Sequence, residues 1–520
     1  MPPIVVLRTV HARPVPANAS SEPGDGRQPM SKERAVSSTP EPSANSGIPT
    51  PWASGPDGWI LRGVPADSSV AQGMGDTARG VRPSQPGDHG LMPDSLSDRG
   101  NAKLFAERYR HDFRFVPGLG WYRWSGYRWE PDDSGTVLWA AGEMAEALAE
   151  TDPTGRHPDA ELRRHRRQSL STPAIKAVLE QVKTAPGMVL PAALLDAAPY
   201  SLCTPGGVVD LATGEVSAPD PEQHLHSRAT AVTVRTMPVP RWERFLHETF
   251  GGDDEGTELI AYLHRLLGYS LTGDVGAQVL PFLHGPGHNG KSVLLGVVLR
   301  LLGDYADVAP PGFLMAHQYE EHPTNLAELH GRRLVICAEP RPGDRLDEAR
   351  ASFLTGGDRI KARRIGQESF GFDPTHKLWL VGNHRPEVAM GDFALWRRIR
   401  VIPFRHVVAD DQRVDNLADV LVAEEGPGIL QWLITGAGHY LRGSRELAGP
   451  RSVQEATAAY AETEDHVGRF LAERRPPLPP RAGGAQTGLY AVYRRWCEME
   501  GASPVPSRVF AARVRETARV

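Results

Sequence analysis

With 520 residues, 40% of them apolar, the chain is long enough for three or four domains and can furnish a sizeable core. A net charge of -5 excludes a global basic field, so any nucleic-acid contact must come from local patches. Cys203, Cys337 and Cys497 are too far apart for a C-x-x-C metal knuckle. No apolar run reaches a membrane span and no secretory core is present, which predicts a cytoplasmic protein with reduced thiols and no membrane partner.

Residues 1–95 are rich in Pro, Gly, Ser and Asp, as in Ser37-Ser-Thr-Pro-Glu-Pro-Ser43, and too poor in periodic hydrophobes to offset chain entropy. Disorder is expected there. Folding is expected to begin near Asp98, where a polar cap precedes Leu104, Phe105 and Tyr109 at helical spacing. The alternating aromatics from Phe113 to Glu130, around Ser125-Gly126, predict a β-hairpin. Its aromatics, with Arg123 and Arg128 among them, suit a half-buried core, and base stacking would use the same residue types. Helices are predicted over 137–148 and 159–185, the second broken at Pro173. Arg163-Arg-His-Arg-Arg167 reads as a solvated helix face, with a DNA contact as the alternative. Two short strands around a glycine turn are expected between Cys203 and Glu215. Pro238-Val-Pro-Arg-Trp242 then marks the seam between an α+β region, 96–236, and a second domain, 237–450.

That second domain opens with a helical collar, Arg241 to Thr272, and reaches Gly285-Pro-Gly287-His-Asn289-Gly290-Lys291-Ser292. The pattern is G-x-x-x-x-G-K-S between a strand-like run and a helix-like one. Glycines at Gly285, Gly287 and Gly290, with Asn289 between, let backbone N–H groups close around a polyphosphate. Lys291 reaches the β/γ-phosphates, and Ser292 can ligate Mg²⁺. The runs Arg333–Glu339, Lys377–Asn383 and Arg398–Phe404 are strand-like. Together they predict an α/β fold with a central parallel, helix-covered sheet and ligand at the strands' carboxyl ends. A helix is expected after Pro427 and another over 453–464. The stiff linker Arg474-Arg-Pro-Pro-Leu-Pro-Pro-Arg481 leads to a small region, within 451–520, with helices near 487–499 and 507–515.

An ATPase also needs a strand-end carboxylate, a polar group near the γ-phosphate and often an arginine from a neighbour. Glu339, Asn383 and the pair Arg397-Arg398 occupy those places in order. With Ala338-Glu-Pro340, Leu354-Thr-Gly-Gly-Asp358, Phe372-Asp-Pro-Thr-His-Lys-Leu378, Gly382-Asn-His-Arg-Pro386 and Leu395-Trp-Arg-Arg-Ile399, the chain resembles the superfamily 3 helicase domain of phage, plasmid and poxvirus-type primase-helicases over roughly 97–515. The resemblance implies an AAA+-like P-loop domain with ATP and Mg²⁺ as cofactors, Ser292 and Glu339 being at the metal. Asn383 would position water, and Arg398, with Arg397 as runner-up, would reach a neighbour's ATP in a homo-hexameric ring. It further implies a hairpin in the ring channel whose Lys361, Arg363 and Arg364 grip single-stranded DNA, and a winged-helix-like last region with Leu489, Tyr490, Tyr493 and Trp496 as its core stripe.

The sequence departs from the family at Ser352-Phe353, where a lysine often stands, and at Pro340, where viral relatives place a second acid. The family's larger members carry a priming domain upstream, whereas residues 1–95 read as disordered; unwinding without primer synthesis, with a separate primase as partner, is the expectation. The alternatives are a prophage remnant or origin-binding protein that binds DNA and nucleotide without turnover, and a phosphate-loop ATPase that remodels RNA or protein.

Overall fold

A computed structural model describes residues 52–55, 58–61, 90–316, 324–338, 340–363, 369–388, 393–409, 413–474, 485–502 and 504–517. The chain divides into two compact units, 1–72 and 73–520. In the first, β1 (Trp52–Gly55) pairs antiparallel with β2 (Gly58–Leu61). Most of the stretch expected to be disordered lies outside the described residues. Residues 90–95, however, belong to the folded part: the backbone of Leu91 exchanges hydrogen bonds with Ala147 and Ala149.

The second unit begins with α1 (Asp98–Tyr109), capped by the Ser97 hydroxyl on the N–H of Gly100, and a meander of β3 (Phe113–Val116), β4 (Gly120–Trp124) and β5 (Trp129–Pro131). The aromatic stretch is core: Tyr122 and Trp129 are buried, and Arg123 and Arg128 both pair with Glu130. Next come α2 (Thr136–Glu146), α3 (Asp159–Ser169) and α4 (Thr172–Val182). The break falls where expected, with Pro173 in the first turn of α4, the position that tolerates a missing N–H. In the basic run, His165 is buried against Asn101, and Arg166 bonds the Glu146 carbonyl and Glu150. A second small sheet follows, β6 (Ser201–Thr204), β7 (Gly207–Asp210) and β8 (Val216–Ser217).

The collar is two helices, α5 (Pro240–Phe250) and α6 (Asp254–Leu271), parted at Gly251 and recapped by Asp253. Then come β9 (Leu280–His284), α7 (Lys291–Leu302), β10 (Ala306–Val308), the single turn α8 (Thr324–Ala327), β11 (Leu334–Ala338) and α9 (Glu348–Leu354). A hairpin of β12 (Ile360–Arg363) and β13 (Ser369–Phe372) precedes β14 (Lys377–Gly382), the turn α10 (Phe393–Trp396) and β15 (Ile399–Pro403). The chain continues with α11 (Leu417–Arg442), α12 (Arg451–Glu464), α13 (His466–Arg474), α14 (Ala485–Glu500) and α15 (Ser507–Thr517).

Five strands form one all-parallel sheet in the order β10-β11-β14-β9-β15. Alternate residues of these apolar strands face opposite ways, as a sheet covered on both sides requires. Leu283, Ile336, Trp379 and Ile402 join the core beneath α6, α7 and α11. Phe282, Val335, Leu380 and Val401 join the core shared with the β12–β13 hairpin and the aromatic meander.

Two expectations need correction. The helix placed after Pro427 starts ten residues earlier and runs through it. Proline removes one helical hydrogen bond, but tertiary anchors hold the segment: the Glu425 carboxylate accepts the N–H groups of Arg241 and Trp242, capping α5 from a distant helix. Nor does the core part at residue 236, because Leu202, Val209 and Leu211 pack in the same cluster as Leu266, Leu301 and Leu433. In the last region Tyr493 and Trp496 are buried with Phe470 and Phe510, and Leu489 and Tyr490 pack against them. This is a three-helix cluster, and among the described residues no strand accompanies it.

The tightest helix crossing is α6 on α11. A Cβ on Gly268 would fall 2.1 Å from the backbone N of Ala437, and one on Gly436 2.1 Å from the His264 carbonyl oxygen. Gly268→Ala is therefore expected to force the helices apart at a cost of about 1–3 kcal/mol, read as a lower denaturation midpoint. An unchanged midpoint would show the crossing to be compliant.

Candidate functional site

The phosphate-loop candidate leaves β9 at its carboxyl end and enters α7. Gly285 is dictated by space: a Cβ there would lie 2.2 Å from the Phe404 carbonyl oxygen. Gly290 has φ +86° and serves as N-cap of α7. Lacking a side chain it cannot cap, so the first-turn N–H groups are left for an anion. A Cβ on Gly287 would meet nothing within 4 Å, so this part of the loop borders open space.

Lys291 is only 5% exposed. Its Nζ donates to the carbonyl oxygens of Gly285 (2.7 Å) and Pro286 (2.9 Å), to Asn289 Oδ1 (3.0 Å) and to Asn383 Oδ1 (3.0 Å). Asn289, itself buried, donates its Nδ2 to the Phe404 carbonyl at 3.1 Å. The lysine thus ties the loop to the end of β14, and the asparagine ties it to the end of β15. Two strand ends, those of β9 and β14, meet at the ammonium group, and Asn289 brings in the third. His284, the last residue of β9, is held to a pKa of about 4 by burial first, then by Arg385 and Lys291, so it stands neutral in a positive field. Ser292 follows in the first turn of α7, half-buried. Glu339 lies outside the described residues, directly after β11, which pairs with β14 up to Ala338–Val381. Among the described residues no group of three or more His, Cys, Asp or Glu could hold a metal alone. Phosphate-bound Mg²⁺ characteristically takes only one or two protein oxygens.

The two arginines are placed differently. Both precede β15, at the sheet edge opposite the loop; five residues of strand, about 16 Å, separate them from Phe404. Neither can serve the chain's own phosphate loop. Arg398 is 7% exposed and donates its Nη1 to the Ser352 carbonyl (2.9 Å) and Thr355 Oγ1 (2.8 Å). Arg397 is exposed, with one long contact of 3.5 Å to Gln278. The hairpin expected between Glu339 and Asn383 is present. Lys361 and Arg363 are exposed on β12, while Ile360 and Ala362 pack inward. Arg364 lies outside the described residues.

Comparison with known proteins bears on this arrangement. Residues 102–251 match the family model described as D5 N terminal like, and residues 283–398 match a family of unknown function, DUF5906. The first match crosses residue 236, as the shared core does. The helicase-named protein L207/L206 of Acanthamoeba polyphaga mimivirus is 28% identical over 230 residues, 40% of this chain and 24% of that protein. The helicase-named protein 022R of Frog virus 3 (isolate Goorha) is 26% identical over 281 residues, 50% of this chain and 28% of that protein. These are similarities of parts of the chain, to a D5-type N-terminal region and to helicase-named viral proteins. The chain spans about a quarter of the length of these two curated relatives. Among solved structures, the A form apo structure of the NrS-1 C terminal region aligns with a TM-score of 0.39 and 14% identity, over 56% of this chain and 64% of that one.

Sequence reasoning missed three basic residues that the structure makes prominent. Arg385 stands within the Gly382-Asn-His-Arg-Pro386 motif, and its signal was a cation two residues past the strand-end asparagine. Arg333 and Lys377 figure in the sequence only as the first residues of strand-like runs, yet both are buried. No local pattern distinguishes a charge that carbonyl groups of a distant segment will surround.

Proposed function

We propose that the chain is an ATP-driven helicase that assembles as a ring, a homo-hexamer, and moves along single-stranded DNA. The observation that carries this reading is the bond between Lys291 Nζ and Asn383 Oδ1. It joins a G-x-x-x-x-G-K-S loop to the polar strand-end residue a nucleotide hydrolase needs, at the carboxyl edge of a parallel sheet. On this reading Gly285, Gly287, Asn289 and Gly290 shape the cradle, and Lys291 turns from loop carbonyls toward the β/γ-phosphates. Ser292 Oγ and Glu339 would hold Mg²⁺, which when bound neutralises phosphate charge. Asn383 holds a polar amide where attacking water would stand. The helicase-named relatives favour a nucleic-acid track, for which single-stranded DNA is the proposed choice. ATP turnover of the full chain should rise when single-stranded DNA is added, and the assembly formed with nucleotide should have the mass of six copies. Absence of DNA stimulation would point instead to a phosphate-loop ATPase acting on RNA or protein.

The hairpin supplies the track contact. Lys361 on β12 would meet backbone phosphates, with Arg363 beside it and Arg364 beyond. Affinity for single-stranded DNA should fall linearly on a log–log salt plot and ignore base sequence. Lys361→Ala should reduce that slope by about 0.7, the loss of one phosphate contact; an unchanged slope would remove Lys361 from the interface.

A further inference from the structure

The carboxyl edge of β14 carries a cation that the phosphate-loop reading leaves without a role. Arg385 lies two residues beyond Asn383, half-buried, with its guanidinium over the Tyr460 ring at 5.4 Å. Its Nε is buried without a hydrogen-bond partner, and among the described residues no carboxylate forms an ion pair with it. Glu464 is close enough to be felt, but its Oε2 accepts the backbone N–H of Val388 at 3.1 Å. On the other side, Arg385 and Lys291 both act on His284, the residue from which the loop departs. Two cations therefore share the strand-end region where Lys291 meets Asn383, and the Nε of Arg385 is left without an acceptor. Removing a guanidinium from water without a partner is unfavourable, and an arriving phosphate oxygen relieves it with charge-assisted bonds.

We propose that Arg385 reads the terminal phosphate of the nucleotide bound in its own subunit and relays its presence to α12. The proposal rests on the phosphate-loop reading above. The relay follows from what holds the segment after Arg385. The Tyr460 hydroxyl donates to the Pro386 carbonyl, Glu464 accepts from Val388, and Arg385 stacks on Tyr460, so residues 385–388 lie bound to the last turns of α12. Directly after α12, Asp465 accepts from Arg513 of α15 at 2.8 Å, so a shift of α12 reaches the C-terminal cluster. A guanidinium drawn toward phosphate loosens its stack on Tyr460; when the phosphate leaves, the stack re-forms.

The test compares affinities of the full-length chain for a fluorescent, non-hydrolysable ATP analogue and for the matching ADP. Arg385→Gln keeps a planar group for the stack and removes the charge. It should cut the preference for triphosphate over diphosphate about 10-fold to 100-fold, with diphosphate affinity unchanged, as the loss of a charged hydrogen bond implies. Arg385→Lys should restore part of the preference. An unchanged preference in Arg385→Gln, or an equal fall in both affinities, overturns the proposal while the phosphate-loop reading stands. Failure of the wild-type chain to bind either nucleotide overturns both.

Discussion

Arg397→Ala is expected to lower ATP turnover by about 10³–10⁵ while leaving nucleotide affinity and Tm near wild type, the signature of an arginine that acts on a neighbour's nucleotide. The resemblance puts Arg398 first for that role and Arg397 second; on the proposed reading, the burial of Arg398 favours Arg397. Arg398 is buried, and its Nη1 is engaged by Ser352 and Thr355 at the end of α9. Its truncation should cost about 1.5–3 kcal/mol for the lost charged hydrogen bonds, and so lower Tm. Both residues lie at the end of β15 opposite their own loop, so a direct effect of either on bound nucleotide would have to be on a neighbour's. Mixing Arg397→Ala subunits with Lys291→Ala subunits should restore turnover at the interfaces where intact partners meet. An Arg398→Ala chain with unaltered Tm and lost turnover would return the role to Arg398.

Lys291→Ala is expected to lower turnover at saturating ATP by about 10²–10³, the usual cost of one preorganised donor at developing charge. Two effects combine. The ammonium is removed from the phosphates, and Asn383 loses the partner that fixes its amide at 3.0 Å. Lys291→Arg should not rescue, because a planar fork cannot satisfy the same converging oxygens as a compact ammonium. Turnover that survives in Lys291→Ala would place hydrolysis elsewhere in the chain.

Much of this centre was legible because its signals are local. The glycine spacing, the apolar runs that became β9, β11, β14 and β15, and the polar residue at the end of β14 are all contiguous patterns. The strand β10 escaped notice because three residues, Ala306–Val308, give no periodicity to read. The helix through Pro427 was cut short because proline's local penalty is visible, whereas the anchors of Glu425 on α5 and of Arg235 on the Pro427 carbonyl lie far away in sequence. The order of Arg397 and Arg398 was likewise undetermined, since adjacent arginines before a strand differ only in which one the fold turns inward.

Arg333 ties these regions together. It is fully buried over Tyr305, and its guanidinium donates to the carbonyl oxygens of Ala198, Pro199 and Ser201, all upstream of the phosphate-loop domain, as well as to Leu271 within it. A permanent charge lodged among neutral oxygens is tolerable only while every one of them is present. The domain that carries the G-x-x-x-x-G-K-S motif is therefore not a portable cassette. Severed from residues 198–201, it would retain its motif intact and lose the shell that makes a cation at the base of its sheet bearable, so the two regions have to be expressed and engineered as one piece.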